Sequence, residues 1–321
     1  MIIDLKTAVK RLKENDDIVI LIHQFPDGDT IGCGYSLCMA LKSLGKRARV
    51  ECCDEVGERY NCITGNVSFD EFEPKFVVAV DVADIKLLGS KADEYERIDL
   101  CIDHHGSNTD YALETYVDSS AAAACEILYE TEKMLCGDVD KDQAAALYTG
   151  ISTDTGCFKF SNTTAKTHRI AAELMEKGIR YDEINRIMFD TKSKSRIMVE
   201  RAAMNTIKFS CDDKVAIMTL TKEMREKYNA HDSELEGITG LPRTIEGVLL
   251  GITIRERDDT SICKISARTH PPISASDFCA NFGGGGHERA AGCEIKADKE
   301  TAYEMLLKAA RETMKKAGLI D

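Results

Sequence analysis

Acidic residues and histidines gather in three short segments, each of which follows an apolar run. These segments are His23-Gln24-Phe25-Pro26-Asp27-Gly28-Asp29, Asp81-Val82-Ala83-Asp84 and Asp103-His104-His105. Carboxylate oxygens and imidazole nitrogens are ligands for divalent transition metals such as Mn²⁺. Pro26 and Gly28 let the first segment fold back, so that Asp27 and Asp29 face one point. Taken singly, Asp29 and Asp81 also fit the plainer role of a helix N-cap.

A fourth acidic residue, Asp154, lies in the glycine-flanked segment Gly150-Ile151-Ser152-Thr153-Asp154-Thr155-Gly156. Alone, this segment also fits an ordinary loop that follows a helix. The set is stronger than its members, because the carboxylates of Asp27, Asp29, Asp81 and Asp154 would balance the charge of two divalent ions. With the imidazoles of His23 and His104 added, the mixed oxygen and nitrogen donors favour Mn²⁺ over a zinc-thiolate site.

A separate segment near the C-terminus has the residue types of a phosphate site. In Gly283-Gly284-Gly285-Gly286-His287, consecutive glycines let backbone N–H groups approach an anion closely. A helix that began at His287 would add the attraction of its N-terminus. Arg268 lies just upstream and is suited to holding a phosphate with two hydrogen bonds. The plain alternatives are a flexible loop and a surface arginine.

The first half of the chain alternates short apolar runs with helical patterns. Runs at 17–22, 76–80 and 98–102 predict buried strands, and apolar spacing over 31–44 predicts a helix. This alternation predicts a parallel α/β sheet with helices on both faces. Because ligands collect at the carboxyl ends of such strands, the sheet would bring His23, Asp81 and Asp103 together.

The rest of the chain predicts more helices and then a change of fold type. Further helices are expected at 120–135 (with Ser119 or Ser120 as N-cap), 139–151, 164–177 and 181–189. The second half predicts strands at 214–220, 245–255 and 261–267 and an amphipathic helix at 298–317. We therefore expect an N-terminal domain at 1–189, a linker at 190–206 and a smaller mixed α/β domain at 207–321.

Composition restricts the classes of function. The chain has 321 residues with 42 Lys+Arg and 55 Asp+Glu, a formal net charge of −13, which argues against binding long duplex nucleic acid. No apolar run approaches the roughly 20 residues of a membrane helix, and the N-terminus does not resemble a signal peptide. The 13 cysteines have no CxxC spacing and are expected to be reduced, mostly buried thiols. These features predict a cytoplasmic protein.

The ordered set of HxxPDGD, VDVAD, DHH, TGISTDTG and FGGGGH resembles the DHH phosphoesterase superfamily with a DHHA1 domain. The motifs span positions 23 to 292, and by length and layout the chain is most similar to the nanoRNase A type, bifunctional oligoribonucleases and pAp phosphatases. The resemblance implies a Rossmann-like DHH domain, a DHHA1 domain and an active site in the cleft between them. It also implies two Mn²⁺ ions, with Mg²⁺ or Co²⁺ as substitutes.

The resemblance also implies roles for single residues. His23 and Asp27 match ligands of the first metal, Asp29, His104 and Asp154 match ligands of the second, and Asp81 matches the bridging carboxylate. His105 matches the histidine that contacts the scissile phosphate and protonates the leaving group, and Asp103 matches a residue that orients a histidine. Arg268, Gly284, Gly285, Gly286 and His287 match the substrate-phosphate site. Cys33 departs from the family, in which serine often follows the preceding glycine, but it is not a ligand position.

The implied substrates are very short 5′-phosphorylated oligoribonucleotides, such as the dinucleotide pApA, and pAp. A cyclic-di-AMP phosphodiesterase is the main alternative. A manganese-dependent inorganic pyrophosphatase shares the first four motifs, and a non-enzymatic nucleotide-sensing module is the alternative outside enzymes. Relatives suggest a homodimer, and no membrane partner is expected.

Overall fold

The computed structural model describes residues 1–65, 67–230, 235 and 237–321. These form two compact units, Met1–Thr191 and Lys192–Asp321. The division falls inside the segment 190–206 that the sequence predicts as a linker. Much of that segment is helix Lys194–Met204, whose buried residues Val199 and Ala203 pack in a cluster with residues of the second unit.

The first unit is built on a parallel sheet of five strands. These are β1 (Ile18–Leu21), β2 (Ala48–Glu51), β3 (Phe76–Val80), β4 (Leu100–Asp103) and β5 (Glu114–Val117), in the order β2-β1-β3-β4-β5. All four neighbouring pairs run parallel, which confirms the predicted sheet and its three central strands. The edge strands β2 and β5 were not predicted, because both are only partly buried and neither contains a continuous apolar run.

The described residues of the first unit form seven α-helices: α1 (Leu5–Glu14), α2 (Gly28–Ser43), α3 (Asn61–Thr64), α4 (Ala124–Cys136), α5 (Lys141–Asp154), α6 (Ala165–Glu176) and α7 (Tyr181–Asn185). Their buried residues pack with one face of the sheet in the main core. The other face packs on the 3-10 segment Ile85–Asp93 and on loops, with Leu88 at its centre. The expectation of helices on both faces is therefore met in part among the described residues, because the α-helices cover one face and a 3-10 helix lies on the other.

Three predicted helix starts also need correction. Helix α4 begins at Ala124, not at 120, because Ser120 is held in a turn in which its N–H and Oγ donate to Asp118. Helix α5 begins after Asp140, which forms a capping box with Gln143. The N-cap of α2 is Asp27 rather than Asp29.

The second unit contains a mixed sheet of six strands. These are β6 (Lys208–Ser210), β7 (Val215–Leu220), β8 (Leu250–Glu256), β9 (Cys263–Thr269), β10 (Gly285–His287) and β11 (Ala290–Ile295), in the order β10-β11-β9-β8-β7-β6. Only the pair β7–β8 is parallel. Helices α8 (Lys194–Met204), α9 (Lys222–Lys227), α10 (Ala275–Ala280) and α11 (Lys299–Lys316) complete the unit. The separate mixed α/β unit is confirmed.

The glycine-rich segment differs from its prediction. No helix begins at His287, because this residue ends the short edge strand β10, which pairs with β11. Gly284 lies so close to β11 that an added Cβ would overlap the Cβ of Cys293 and the carbonyl of Gly292. The helix-terminus contribution to anion binding is therefore absent at His287, and only the backbone groups and the side chain remain.

Candidate metal centre

Asp81 lies at the centre of the acidic cluster, directly after β3. Its backbone has φ of 57°, in the left-handed region, and its N–H donates to the carbonyl of Ile102 at 2.9 Å. The side chain is only 3% exposed, and its Oδ1 has no hydrogen-bond partner among the described residues. A buried carboxylate oxygen without a hydrogen-bond donor destabilises the folded state. A bound cation would compensate the charge of this oxygen.

His23 and Asp27 approach Asp81 from the loop between β1 and α2. The Nδ1 of His23 lies 2.8 Å from the carbonyl of Gln24 and donates a hydrogen bond to it. The lone pair of Nε2 is therefore available to bind a metal ion. That Nε2 is 3.7 Å from Asp27 Oδ1 and 3.8 Å from Asp81 Oδ2. Asp27 Oδ1 also caps α2 by accepting the N–H groups of Asp29 and Thr30. The metal role and the capping role therefore coexist in one residue.

Asp29 lies in the first turn of α2 and is buried against the start of α4. Its Oδ2 accepts the N–H of Ala124 at 2.6 Å, and its Oδ1 accepts the N–H of Cys125 at 3.0 Å. The first amides of α4 are thus capped by a carboxylate from another helix, since the residue before α4 is Ala123 and has no side-chain cap. These bonds fix the carboxylate while it faces the rest of the cluster.

His104 faces three carboxylates. Its Nδ1 lies 3.2 Å from the carbonyl of Ala121, which directs Nε2 toward the cluster. Nε2 lies 3.6 Å from Asp81 Oδ1, 3.7 Å from Asp154 Oδ2 and 3.9 Å from Asp29 Oδ2. Asp154 is the last residue of α5 rather than a loop residue.

Asp103 and His105 form a separate hydrogen-bonded pair at the edge of the cluster. His105 Nδ1 lies 2.8 Å from Asp103 Oδ1, which also accepts the N–H groups of both His104 and His105. The other oxygen, Oδ2, accepts from Asn108 Nδ2 at 2.7 Å. Both oxygens of Asp103 are therefore occupied by donors, as expected for a residue that orients a histidine. The Asp103 hydrogen bond raises the pKa of His105.

Sequence reasoning missed Asn108 and the two backbone carbonyls that orient His23 and His104. Asn108 follows the Asp-His-His segment by only a few residues. Its side-chain amide could therefore have been identified from the sequence as a possible hydrogen-bond donor to Asp103. The carbonyls of Gln24 and Ala121 gave no signal, because backbone partners depend on the fold and not on residue type.

The cluster concentrates negative charge in a buried place. Burial raises the pKa of Asp81 well above its ordinary value, and the charges of Asp29 and Asp27 raise it further. Burial raises the pKa of Asp154 to about 8, again with contributions from Asp29 and Asp27. Burial also raises the pKa of Asp29, and the charge of His104 only partly opposes it. The ionised forms of these carboxylates are therefore disfavoured in the cluster, and a bound divalent cation would favour them.

The donor atoms fit divalent cations. His23, Asp27 and Asp81 form one group, and Asp29, His104 and Asp154 form another, with the ligand atoms of each group within 4.8 Å of one another. His104 and Asp81 also group with His105 in the same way. The structure thus brings together all six residues that the sequence analysis proposed as ligands. The oxygen and imidazole donors, together with the buried Oδ1 of Asp81, suit a divalent cation.

Close helix packing makes this convergence possible. An added Cβ at Gly150 would lie 2.8 Å from Asp29 Oδ1 and would overlap the sulfur of Cys125. At Gly28 it would overlap the side chain of Thr153, and at Gly32 it would lie 2.6 Å from the carbonyl of Ala146. Glycine at these positions lets α2, α4 and α5 approach each other where Asp29 and Asp154 meet.

The predicted phosphate-site residues lie together in the second unit. Arg268 on β9 pairs with Ala290 on β11, and Ala290 pairs with His287 on β10. Residues directly opposite in antiparallel strands point to the same face, so Arg268 and His287 share one face with only alanine between them. Gly285 and Gly286 lie on the same edge strand as His287. All of these residues are at least partly exposed.

Comparisons with known families agree with this architecture. The model of the DHH family, N-terminal domain, matches residues 17–151, and the model of the DHHA1 domain matches residues 212–316. The first match contains most of the acidic cluster. The second contains Arg268 and the glycine-rich strand.

Individual relatives match over nearly the whole chain. The bifunctional oligoribonuclease and PAP phosphatase NrnA of Thermus thermophilus is 32% identical over 320 residues, which cover 94% of this chain and 92% of the relative. The protein of the same name from Bacillus subtilis is 25% identical, and the match covers 89% of this chain and 92% of the relative. The crystal structure of an exopolyphosphatase-related protein from Bacteroides fragilis superposes with a TM-score of 0.86 at 26% identity. The superposition covers 96% of this chain and 95% of that protein. The chain therefore belongs to the DHH family and carries a DHHA1 domain in its C-terminal half.

Proposed function

We propose that the chain is a metal-dependent phosphoesterase that hydrolyses very short 5′-phosphorylated oligoribonucleotides to mononucleotides and pAp to AMP. The observation that carries this proposal is the convergence of five carboxylate and imidazole side chains around the buried Asp81, whose Oδ1 has no hydrogen-bond partner among the described residues. The substrate class is supported by the relatives named as oligoribonuclease and PAP phosphatase, which match this chain over about nine tenths of their length.

Two divalent cations, Mn²⁺ in the first place and Mg²⁺ or Co²⁺ as substitutes, would be held by the cluster. One ion would be held by His23 and Asp27, and the other by Asp29, His104 and Asp154. Asp81 would contribute to both sites. When bound, such ions activate water for attack on phosphorus and neutralise charge on the phosphoryl oxygens. The protein's part is to fix the ligands, and it does so through Gln24, Ala121 and the first amides of α4.

His105 would supply a proton to the leaving group. Asp103 holds its Nδ1, which orients the ring and favours the protonated form. The side chain is 44% exposed, so a substrate oxygen can reach the ring. In this role His105 acts as general acid and Asp103 as its positioning residue.

The second unit would anchor the phosphate at the other end of the substrate through Arg268, His287 and the backbone of Gly284–Gly286. Recognition of a terminal phosphate, rather than of a long phosphate backbone, would restrict the substrates to short oligonucleotides. The net charge of −13 agrees with this, because little of a long phosphate backbone needs to be held.

The test is a product assay with Mn²⁺ on pApA, pAp, cyclic-di-AMP, pyrophosphate and a long single-stranded RNA. We expect AMP from pApA and pAp, slow turnover of the long RNA, and loss of all activity in Asp81→Asn. The matched control is Asp142→Asn, which changes an exposed aspartate of α5. Preferred hydrolysis of cyclic-di-AMP or pyrophosphate would replace the proposed substrate. No turnover of any of these compounds and no Mn²⁺ binding would favour a nucleotide-sensing module.

A further inference from the structure

A second arginine, Arg243, lies on the same face of the second sheet as Arg268. Gly251 on β8 is directly opposite Arg268 on β9 in an antiparallel pair, so a side chain at 251 would point to the face from which Arg268 projects. A Cβ added to Gly251 would lie 2.6 Å from the backbone nitrogen of Arg243 and 3.1 Å from its Cα. The 3-10 segment Ile238–Thr244 therefore lies over Gly251, and Arg243 is beside Arg268.

The part of this face that surrounds Arg268 is lined by small residues. The row that begins with Gly251 and Arg268 continues through Ala290 to His287. In the next row, Thr253, Ser266 and Gly292 are paired in the same way. The Thr253 hydroxyl donates to the carbonyl of Thr239, which ties the 3-10 segment to this face. The two arginines and His287 thus surround a patch of the sheet surface that carries no bulky side chains.

The two guanidinium groups are not paired with an acidic residue in the part of the chain that the structure describes. Within the described ranges, no carboxylate forms an ion pair with Arg243 or Arg268. Arg268 Nη1 donates only to the carbonyls of Ala267 and Ala291, at 3.0 and 3.5 Å. Burial lowers the pKa of Arg268, and the charge of Arg243 lowers it further. Two neighbouring, partly buried cations repel each other, and the missing partner is an anion of matching charge.

We propose that Arg243 and Arg268 together bind the terminal phosphate monoester of the substrate, and that Arg243 makes the enzyme select 5′-phosphorylated ends over unphosphorylated ones. A terminal monoester carries close to two negative charges at neutral pH, whereas an internal diester carries one. Two guanidinium forks match the dianion in charge and in hydrogen-bond geometry. This inference rests on the proposed function, since it names the end group that the phosphate site recognises.

The experiment compares pApA with ApA, which lacks the 5′-phosphate, on the full chain. Binding is measured by calorimetry in EDTA, where no cleavage takes place, and kcat/KM is measured with Mn²⁺. We expect Arg243→Gln to weaken pApA binding by about 10- to 100-fold and to change ApA binding by less than about 3-fold. Arg243→Lys, which keeps the charge but loses the fork, should give an intermediate loss. The matched control, Arg311→Gln on the exposed face of α11, should leave both affinities unchanged.

The outcomes separate this inference from the proposed function. Equal losses for pApA and ApA, or no loss for either, would overturn the selection by Arg243. If Arg243→Gln does not fold, as judged by its thermal unfolding, Arg243→Lys decides the question by the same comparison. If the wild-type protein cleaves neither dinucleotide, the proposed function fails, and the binding ratio in EDTA still decides whether Arg243 reads the terminal phosphate.

Discussion

At Asp81, stability and metal binding impose opposite demands. The residue is buried, its Oδ1 has no hydrogen-bond donor, and neighbouring carboxylates repel its charge. An uncompensated carboxylate in such a place destabilises the folded state. A bound cation removes this cost, so metal affinity and instability of the metal-free protein have the same origin.

Asp81→Asn is therefore expected to stabilise the metal-free protein while abolishing activity. In EDTA at pH 8, the free energy of unfolding should rise by about 1–3 kcal/mol, because a neutral amide replaces a repelled carboxylate. Mn²⁺ should raise the Tm of the wild type but not of the variant. Urea denaturation and thermal unfolding with and without Mn²⁺ provide the measurements. A variant that is less stable in EDTA and still gains stability from Mn²⁺ would contradict this account of the site.

At the scale of secondary-structure elements, the centre depends on how closely α2, α4 and α5 pack. Gly150 on α5 lies against Asp29 and Cys125, and the sulfur of Cys125 is 3.4 Å from that of Cys33 on α2. Nothing larger than hydrogen fits at position 150 unless one of these neighbours moves. The position of the Asp29 carboxylate is therefore tied to the spacing of the three helices.

Gly150→Ala should displace Asp29 and impair the metal centre without removing any ligand. We expect a loss of about 1–3 kcal/mol in stability from overpacking, together with weaker Mn²⁺ binding in a metal titration. Gly57→Ala is the matched control, because its Cβ would meet nothing within 4 Å and its φ of −63° suits alanine. Unchanged Mn²⁺ affinity in Gly150→Ala would show that the helix spacing does not hold Asp29 in place.

Glu132 on α4 gives this region a pH dependence that is independent of the metal ligands. Its side chain is fully buried, and neither carboxylate oxygen has a hydrogen-bond partner among the described residues. Burial raises its pKa to about 8, and the nearby Ser36 hydroxyl opposes this rise only in part. A carboxyl with a raised folded-state pKa binds its proton more tightly when folded, so its ionisation costs stability increasingly as pH rises from the unfolded pKa to the folded one.

Glu132→Gln should accordingly become more stable relative to the wild type as pH increases. Between pH 5 and pH 8.5 the stability difference should shift in favour of the variant by about 1–4 kcal/mol, since only the wild type must ionise a buried group. Urea denaturation of both proteins at the two pH values measures this shift, and comparing the pair removes the effect of all other groups. A difference that does not depend on pH would mean that Glu132 is ionised, and therefore compensated, in the folded protein.

The sequence predicted those features that depend on residue types within a short segment, and it did not predict those that depend on contacts between distant residues. The central strands β1, β3 and β4 are continuous apolar runs and were predicted, whereas the half-polar edge strands β2 and β5 were not. The six proposed metal ligands were identified by residue type and order, and the structure brings them together. The cap of α4 was missed, because it is supplied by Asp29, which is distant in sequence. Arg243 was missed for the same reason, since only the fold places it beside Arg268.

At the scale of the whole molecule, the proposed function assigns metal binding and phosphate anchoring to different compact units. Every proposed metal ligand lies in Met1–Thr191, and every proposed phosphate-binding residue lies in Lys192–Asp321. A compound too small to need the anchor should therefore depend on the first unit alone. A dinucleotide should depend on both.

Arg268→Ala tests this division directly. It should raise the KM for pApA by about 10- to 100-fold, because a charge-assisted phosphate contact is lost, and should change kcat much less. Turnover of bis(4-nitrophenyl) phosphate, a small diester without a terminal phosphate, should stay within about 3-fold of the wild type, since only uniform substrate binding is removed. Arg311→Ala controls for the loss of one positive charge, and Asp81→Asn should abolish turnover of both compounds. An equal loss on the dinucleotide and the small diester would mean that Arg268 supports the chemistry or the fold, and that the two units do not divide anchoring from cleavage.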